Sequence, residues 1–404
     1  MKLMVVLEHR FYEYPNGEIY SERVIDYDFL KRYLNVFEEV IVCGRFKNIK
    51  FPLEKKLRVD GEGISFVKLP DFKGPEEMLT KSLIIKKIIK TAISKSDAVL
   101  LRAPSPTSYL ALNTVKKSKK PFGVEMVANP RTALEIHENK NLIKKLKNEL
   151  IKKVWVLHAK EVCKSANGVS YVTERALQNE YPCHSILFGE SKKFFNDSYS
   201  TINLKQSDFT YEEENKKKNE NEYFTICHTG YMDGKTKGHL TVIKTLKILL
   251  NRGYKVKVKF IGSGKYMPEF EEYANKLDLR ENVEFLGGLF GYKEVQKVLR
   301  ASDLYFFPTM SEGLPRSLIE AMANKLPCIS SPVDGIPELL EGEFLAPYNS
   351  TESYANKIEE LINSPQLREE AAEKNYIKAK EYTQQKLTPR RDRFYSKLYS
   401  LTQE

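Results

Sequence analysis

The chain has 404 residues, 41% of them hydrophobic and 29% charged, with a net charge of +11 at pH 7. This length suits two domains, and the composition excludes a disordered or fibrous protein. No apolar run approaches the roughly 20 residues that span a bilayer, and the start "MKLMVVLEH" has too short an apolar core for a secretion signal. The five cysteines are scattered singly, which argues against a disulfide framework or a zinc site and favours a cytoplasmic protein.

The basic excess lies entirely in the first half, because residues 201–404 hold as many acidic as basic side chains. A one-sided basic domain favours an anionic partner: membrane phospholipid, a lipid-phosphate acceptor or nucleic acid. The alternative is a lysine-rich composition without a functional role. Nucleic acid is the weakest of these three candidate partners, because the sequence has no recognisable nucleic-acid-binding motif.

The first half predicts strands separated by helices. Strands are expected at residues 2–9, 38–46, 97–104, 121–129 and 167–174, and helices at 80–94 and 140–166. The segments 81–94 and 140–155 are amphipathic and rich in lysine, a pattern typical of helices that rest on anionic membranes. In the alternative, the apolar stripe of each helix faces the domain's own core and the lysines are solvated.

The domain organisation follows from composition. The segment 203–222, "NLKQSDFTYEEENKKKNENE", is charged and poor in aliphatic residues, so it is predicted to be a linker or surface insertion. It separates a first domain, 1–202, from a second domain, 223–382. A final helix, 383–404, is expected to return to the first domain.

The second half alternates strands and helices of 10 to 15 residues. Strands are predicted at 223–230, 254–264, 282–288, 303–309 and 327–332, and helices at 239–253, 266–279, 292–302 and 314–325. This alternation predicts a parallel, doubly wound α/β sheet, and such sheets bind ligands at the carboxyl ends of their strands.

Glycines follow three of these strands: Gly230, then Gly262 and Gly264, then Gly313. A glycine at this place lets a ligand approach the main chain, and the next helix N-terminus attracts an anion. Lysine near a helix N-terminus is unfavourable without an anionic ligand, which makes Lys237 a candidate diphosphate ligand. The alternatives are tight turns only, and solvated lysines, above all for Lys235.

Two glutamates lie eight positions apart in "SEGLPRSLIEAMA". Pro315 is expected to open a helix, which places Glu312 on the loop before it and Glu320 about a turn and a half inside it. A half-buried carboxylate needs partners, and it can accept two sugar hydroxyls. The pair therefore suits a ligand with hydroxyls at both ends, such as a nucleotide-sugar.

The segment "FFPTMSEGLPRSLIEAMANKLPCISSPVDGIPELL", together with "TG…KTKG", "FIGSG" and "FLGG", resembles the donor site of retaining glycosyltransferases of family 4. The resemblance covers residues 223–365 and implies the GT-B fold, in which two Rossmann-like doubly wound parallel-sheet domains face each other across a cleft. It implies a transferase that moves a hexose or related sugar from a UDP- or GDP-sugar to a glycan or polyprenyl-linked acceptor. The expected role is bacterial surface polysaccharide synthesis: capsule, O-antigen or exopolysaccharide.

The resemblance also implies residue roles. Glu312 and Lys237 would act at the reacting centre and Glu320 would bind the ribose. Gly313 and Leu314 would donate main-chain N–H groups to the donor. The remaining donor contacts would come from Gly230, Tyr231, Lys235, Gly262, Gly264, Arg316 and Ser317. Tyr231 stands where the family has an arginine, so Arg316, Lys235 or a first-domain arginine would take over that charge.

On the acceptor side, the resemblance leads us to expect Glu125, Asn129 and Arg102, with His9 and His137 as alternatives. The reaction is expected to need neither a cofactor nor a metal ion, since Lys237 and main-chain N–H groups can stabilise the leaving diphosphate. Two other functions remain open: a soluble sugar-phosphate or glucan synthase, and a non-catalytic relative that binds a glycan or nucleotide. Contact with the inner face of the membrane is the alternative to a purely cytoplasmic location.

Overall fold

The computed structural model describes residues 1–22, 25–49, 56–133, 142–209, 223–289 and 291–404. The chain divides into two compact units. Unit 1 comprises Met1–Tyr199 and Thr388–Glu404, and unit 2 comprises Ser200–Leu387. Each unit is built around one mainly parallel sheet with helices in the connections. No described helix combines the length and the apolar character needed to cross a membrane.

The sheet of unit 1 has nine described strands. They are β1 (Lys2–Glu13), β2 (Ile19–Ser21), β3 (Glu39–Asn48), β4 (Leu57–Arg58), β5 (Ile64–Pro70), β6 (Ala98–Ala103), β7 (Phe122–Met126), β8 (Gly168–Tyr171) and β9 (Phe195–Ser198). Seven are parallel in the order β5-β3-β1-β6-β7-β8-β9, while β2 and β4 extend the far end of β1 as antiparallel strands. Val5 lies opposite both Val42 and Leu100, and all three are fully buried. Burial on both faces explains the continuous apolar runs of these strands.

The helices of unit 1 are α1 (Tyr27–Lys31), α2 (Gly74–Ser94), α3 (Pro106–Ser118), α4 (Pro130–Ala133), α5 (Leu142–Ser165), α6 (Ala176–Glu180) and α7 (His184–Phe188), with a 3-10 turn at Arg32–Asn35. Sequence analysis expected helices between the strands but gave no bounds for α3. Its start has a local cause, because the Ser105 hydroxyl accepts from the Ser108 N–H at 3.0 Å and Pro106 occupies the first turn.

The sheet of unit 2 has five described strands: β10 (Phe224–Thr229), β11 (Val256–Ile261), β12 (Val283–Phe285), β13 (Leu304–Phe307) and β14 (Cys328–Ser330). All neighbours are parallel in the order β12-β11-β10-β13-β14. The order reverses direction between β10 and β13, the point at which doubly wound sheets bind their ligands.

The helices of unit 2 are α8 (His239–Asn251), α9 (Met267–Lys276), α10 (Tyr292–Arg300), α11 (Arg316–Ala323), α12 (Thr351–Asn363) and α13 (Pro365–Ala379), followed by α14 (Gln384–Ser400), which begins in unit 2 and ends in unit 1. Short 3-10 turns lie at Gln206–Phe209, Arg280–Asn282, Ile336–Glu338, Gly342–Phe344 and Lys380–Tyr382. The apolar stripe of α8 (Val242, Leu246 and Leu249) is buried in the same core as Phe260 of β11. This packing fixes the start of α8 near the carboxyl ends of the central strands.

The predicted linker 203–222 differs from the structure in its first part. Residues 203–209 lie within unit 2, where Phe209 is buried and its carbonyl accepts from the Tyr376 hydroxyl at 2.6 Å. Leu204 is also buried and pairs with Thr383. The charged composition hid these two apolar anchors. The rest of the predicted linker, 210–222, is outside the described residues.

Candidate active site

The loops that follow β10 and β13 meet at one edge of the unit 2 sheet, because these two strands are parallel neighbours. The first loop carries Lys237 and the second carries Glu312. The Lys237 ammonium forms an ion pair with the Glu312 carboxylate, and it also donates to the Ser311 carbonyl at 3.2 Å. Both side chains are partly buried. The structure therefore brings together the two residues predicted for the reacting centre.

The glycine turns bring main chains into contact at this edge. A Cβ atom on Gly262 would overlap the carbonyl oxygen of Gly230, and one on Gly238 would overlap the carbonyl oxygen of Pro308. Gly264 likewise lies against the main chain of Met232. Gly238 and Gly262 also have positive φ angles of +85° and +141°, which side chains disfavour. Of the predicted glycines, Gly262 and Gly264 are thus required by close packing of main chains, whether or not a ligand also approaches them.

The loop before α11 is fixed by hydrogen bonds. The Glu312 N–H donates to Asp334 Oδ2 at 3.0 Å, and the Gly313 carbonyl accepts from the Gly335 N–H at 2.9 Å. The N–H groups of Gly313 and Leu314 donate to no other described residue. Pro315 is the N-cap of α11, so it lies one position before the first helical residue, where the sequence analysis placed it. Two main-chain donors therefore remain at the start of this helix.

Among the described contacts, Glu320 does not interact with the Lys237–Glu312 pair. Its side chain is half-buried, and no described residue donates a hydrogen bond to its carboxylate. Burial raises the pKa of Glu320 to about 7; the positive charge of Arg316 opposes this rise and Asp208 adds to it. A partly desolvated carboxylate without a donor is able to accept hydrogen bonds from a ligand's hydroxyl groups.

The other predicted donor contacts divide into two groups. Arg316 and Ser317, both half-buried, start α11 beside Glu320. Tyr231 is 46% exposed. The Lys235 ammonium pairs with Glu269 of α9 and lies over the ring of Tyr266, so the structure separates its charge from that of Lys237.

Two buried histidines, His228 of β10 and His239 of α8, were missed by the sequence analysis. Their rings are 4.6 Å apart; His228 Nδ1 lies 2.8 Å from the Phe306 carbonyl, and His239 stacks on Phe270 at 4.8 Å. Burial lowers the pKa of His228 to about 4 and that of His239 to about 2, so both rings are neutral at pH 7. The sequence held two signals for this pair: His228 lies inside an apolar strand, and His239 follows directly after "KG". The two neutral rings therefore form an uncharged, buried surface next to the Lys237 loop.

The predicted acceptor residue Glu125 has a different setting from the one expected. It is buried, pairs with Arg102, and accepts from the hydroxyls of Tyr395 at 2.7 Å and Tyr33 at 3.2 Å. Tyr199 adds a longer contact at 3.4 Å. Since Tyr395 belongs to α14, this network fastens the last helix to the sheet of unit 1. Glu125 and Arg102 therefore have an internal, structural role.

Asn129 is also committed within unit 1. Its side chain accepts from the Tyr181 hydroxyl at 2.7 Å and donates to Glu180 at 2.8 Å. Of the two alternative histidines, His9 lies 2.6 Å from the Ser21 hydroxyl, and His137 is outside the described residues. An acceptor role for Asn129, His9 or His137 stays a prediction.

Within the part of the chain that the structure describes, no cluster of three or more His, Cys, Asp or Glu side chains is placed to hold a metal ion. The sequence Asp26-Tyr27-Asp28 has the spacing of an Asp-x-Asp metal motif. Asp26, however, is the N-cap of α1, where its carboxylate accepts from the Phe29 N–H at 2.7 Å. This motif is therefore a helix cap.

Comparison with known proteins finds a family match within unit 2 and a relative that is similar over most of the chain. Residues 210–378 match the family model of glycosyl transferases group 1. Protein CapJ of Staphylococcus aureus is 28% identical over 339 residues, which cover 84% of this chain and 81% of CapJ. The capsular polysaccharide biosynthesis glycosyltransferase CapM of the same species is 32% identical over 152 residues, 37% of this chain and 39% of CapM.

Solved structures show the fold. Sucrose-phosphate synthase of Thermosynechococcus elongatus superimposes with a TM-score of 0.69 at 12% identity and covers 99% of both chains. Anabaena Alr3699/HepE in complex with UDP gives 0.60 at 14% identity, with 100% of this chain and 98% of that chain covered. The chain therefore has the GT-B fold of two Rossmann-like domains, and its similarity to the family model of glycosyl transferases group 1 lies in residues 210–378.

Proposed function

We propose that this protein transfers a sugar from a nucleotide-sugar to a glycan or polyprenyl-linked acceptor during bacterial surface polysaccharide synthesis, with retention of anomeric configuration. The observation that carries the proposal is the partly buried ion pair of Lys237 with Glu312 at the switch point of the unit 2 sheet. Glu320, half-buried and without a hydrogen-bond donor among the described residues, adds a place for ribose hydroxyls.

The relatives support the biological setting. CapM is a capsular polysaccharide biosynthesis glycosyltransferase by name, and the CapJ similarity extends over most of this chain. The solved UDP complex of HepE favours UDP as the nucleotide of the donor, with GDP as the alternative that the sequence also allowed. An anionic membrane that bears the acceptor is the partner we propose for the basic helices of unit 1.

The proposed reaction breaks the bond between the anomeric carbon and the diphosphate oxygen. The acceptor hydroxyl oxygen forms a new bond to that carbon on the same face, and its proton passes to the departing phosphate. Negative charge grows on the nucleoside diphosphate as it leaves. We propose that Lys237 and the N–H groups of Gly313 and Leu314 stabilise that charge, without a metal ion or a further cofactor.

Glu312 also has a role in the proposed reaction, through its ion pair with Lys237. Its carboxylate neutralises Lys237 in the structure, so a bound diphosphate has to share the ammonium with it. We propose that Glu312 orients Lys237 and faces the transferred sugar, which makes it an electrostatic and positioning group. Glu312 as a covalent nucleophile is the lesser alternative.

The test combines turnover with ligand binding. Wild-type protein is incubated with UDP- and GDP-sugars, and nucleotide release is measured together with the melting temperature, which a bound donor raises. Lys237→Met is expected to lower turnover by about 100-fold or more, the range found when one charge-stabilising donor is removed. Lys244→Met is the matched control, because Lys244 is an exposed lysine of α8.

Two further variants separate binding from chemistry. Glu320→Ala should abolish most of the UDP-induced rise in melting temperature, whereas Glu312→Gln should keep that rise and lose turnover. Anomeric configuration of the product is read by NMR. Unchanged turnover by Lys237→Met, or a product with inverted configuration, contradicts the proposal.

A further inference from the structure

Two arginines of unit 1, Arg32 and Arg391, have buried nitrogen atoms without a hydrogen-bond partner. Arg391 of α14 is only 5% exposed, and none of the described residues accepts a hydrogen bond from its Nε or Nη2 atom. The Nε atom of Arg32, just after α1, is unpartnered in the same way. Nearly all buried polar groups in native proteins have partners, so these nitrogens call for an explanation.

The two side chains are close together in the fold. The rings of Tyr33 and Tyr395 are 5.1 Å apart, which packs the 3-10 turn after α1 against α14. Arg32 directly precedes Tyr33, and Arg391 lies four positions before Tyr395 on the same face of α14. Burial and, after it, the positive charge of Arg391 lower the pKa of Arg32, as expected for neighbouring guanidinium groups.

The acidic side chains around these arginines are committed to other partners. Glu125 forms an ion pair with Arg102 and accepts hydrogen bonds from three tyrosine hydroxyls. Asp392 of α14 accepts from Asn35 Nδ2 at 3.2 Å. In the described part of the chain, neither of the two arginines forms an ion pair. Burying charges without a counter-charge is costly, so an anion from outside the chain would stabilise this region.

The unpartnered atoms of Arg391 are the ones that suit an oxyanion. Nε and Nη2 carry N–H groups on the same edge of the planar guanidinium, and this edge can donate two parallel hydrogen bonds to two oxygens. Two arginines match a phosphate monoester or a diphosphate, which carries two or more charges, better than a carboxylate, which carries one. Arg32 is only half-buried, so the arginine pair reaches the surface of unit 1 on that side.

We propose that Arg32 and Arg391 bind a phosphate-type anion, the phosphate monoester or diphosphate group of a ligand, between the 3-10 turn after α1 and helix α14. The site consists of unit 1 residues only, whereas Lys237 and Glu312 belong to unit 2. Two sources carry this chemistry: a free phosphate anion and a diphosphate-linked acceptor. Only the second source rests on the proposed function.

The experiment is isothermal titration calorimetry of the full chain, with inorganic pyrophosphate as the probe. Titrations use the Lys237→Met protein as the parent, so that any binding near Lys237 is weakened. Arg391→Met removes the charge and the N–H groups and keeps a side chain of similar length. Arg393→Met is the matched control, because Arg393 is an exposed arginine of the same helix whose ion pair with Asp197 contributes little.

We expect the parent and its Arg393→Met variant to bind pyrophosphate with the same association constant. Arg391→Met should lower that constant by about tenfold or more, because a charge-assisted contact through two N–H groups is lost. Arg32→Met should lower it as well. Unchanged binding in both variants, or no binding by the parent, overturns the proposal.

Thermal unfolding separates a binding role of Arg391 from a structural one. Without added anion, Arg391→Met should melt no lower than the parent, because it removes an uncompensated buried charge. Pyrophosphate should raise the melting temperature of the parent and not that of the variant. A variant that melts well below the parent with and without pyrophosphate contradicts the proposal, since Arg391 would then be part of the core.

A soluble isoprenyl diphosphate in place of pyrophosphate identifies the source of the anion. Binding that depends on Arg391 and is tighter than that of pyrophosphate assigns the site to a lipid-linked diphosphate. Equal binding that depends on Arg391 assigns it to a free anion. These titrations contain no sugar donor, so their failure leaves the nucleotide-release assay unaffected, and failure of that assay leaves the anion site standing.

Discussion

Glu320 provides the sharpest test of the site, because its environment opposes its charge. Burial raises its pKa from the usual 4.5 to about 7. A raised carboxyl pKa means that the folded state holds a proton that the unfolded state has lost between these two values. The contribution of Glu320 to stability is therefore greatest below about pH 4.5, falls as the pH rises towards 7, and levels off above it.

The size of this effect follows from the two pKa values. A change from 4.5 to about 7 corresponds to a cost of about 3 kcal/mol for keeping the carboxylate ionised at pH 8. Because the side chain is only half-buried, solvent screens part of the cost, and we expect about 1 to 3 kcal/mol. Glu320→Gln removes the charge and keeps the shape, so this variant should be more stable than wild type at pH 8.

The assay is thermal unfolding of nucleotide-free wild type and Glu320→Gln at pH 5 and pH 8. The variant should melt several degrees higher at pH 8, since about 1 kcal/mol shifts the melting temperature of a domain this size by about 2 to 4 °C. The difference should shrink at pH 5. Glu360→Gln, which removes an exposed carboxylate of α12, is the control. An equal gain at both pH values, or a variant less stable than wild type at pH 8, would refute the assignment of a desolvated carboxylate.

Two further predictions concern the surroundings of the site. Gly262→Ala should destabilise the protein to urea by more than about 1 kcal/mol, because the new Cβ overlaps the Gly230 carbonyl; Gly253→Ala, where the same atom meets open space, should cost less, and equal costs would contradict the close approach. His239→Phe should raise stability more at pH 5 than at pH 8. Burial, the neighbouring His228 and Lys237 depress the pKa of His239, so wild-type stability falls as the pH drops below 6.5. A larger gain at pH 8 than at pH 5 would count against a buried neutral pair.

Much of the unit 2 sheet could be predicted from the sequence. A buried parallel strand is a continuous apolar run, and each connecting helix shows its own period, so both signals lie within a few neighbouring residues. The predictions failed where the signal was weak or interrupted. The strand β5 has one buried residue, Leu69, and ends in Pro70, and α3, for which no bounds were predicted, has a nearly even mixture of polar and apolar residues.

The candidate site likewise has some features that the sequence predicted and others that it did not. The pairing of Lys237 with Glu312 follows from which strands are neighbours, and the alternating pattern of strands and helices already favoured a common edge. Glu125 was wrongly expected at an accessible strand end, because its partners Tyr33, Tyr199 and Tyr395 come from distant parts of the chain. Convergence of residues from distant positions leaves no local signal.

By itself, the sequence determined the doubly wound class, the glycine turns and the two glutamates of "SEGLPRSLIEAMA", because each depends on residues close together in the chain. Only the tertiary structure decided that Glu125 is an internal anchor, that His228 and His239 back the Lys237 loop, and that Leu146 and Leu150 face outward. Helical period shows that a helix has two faces. Which face is buried depends on what the rest of the chain packs against it, and that is a property of the folded molecule.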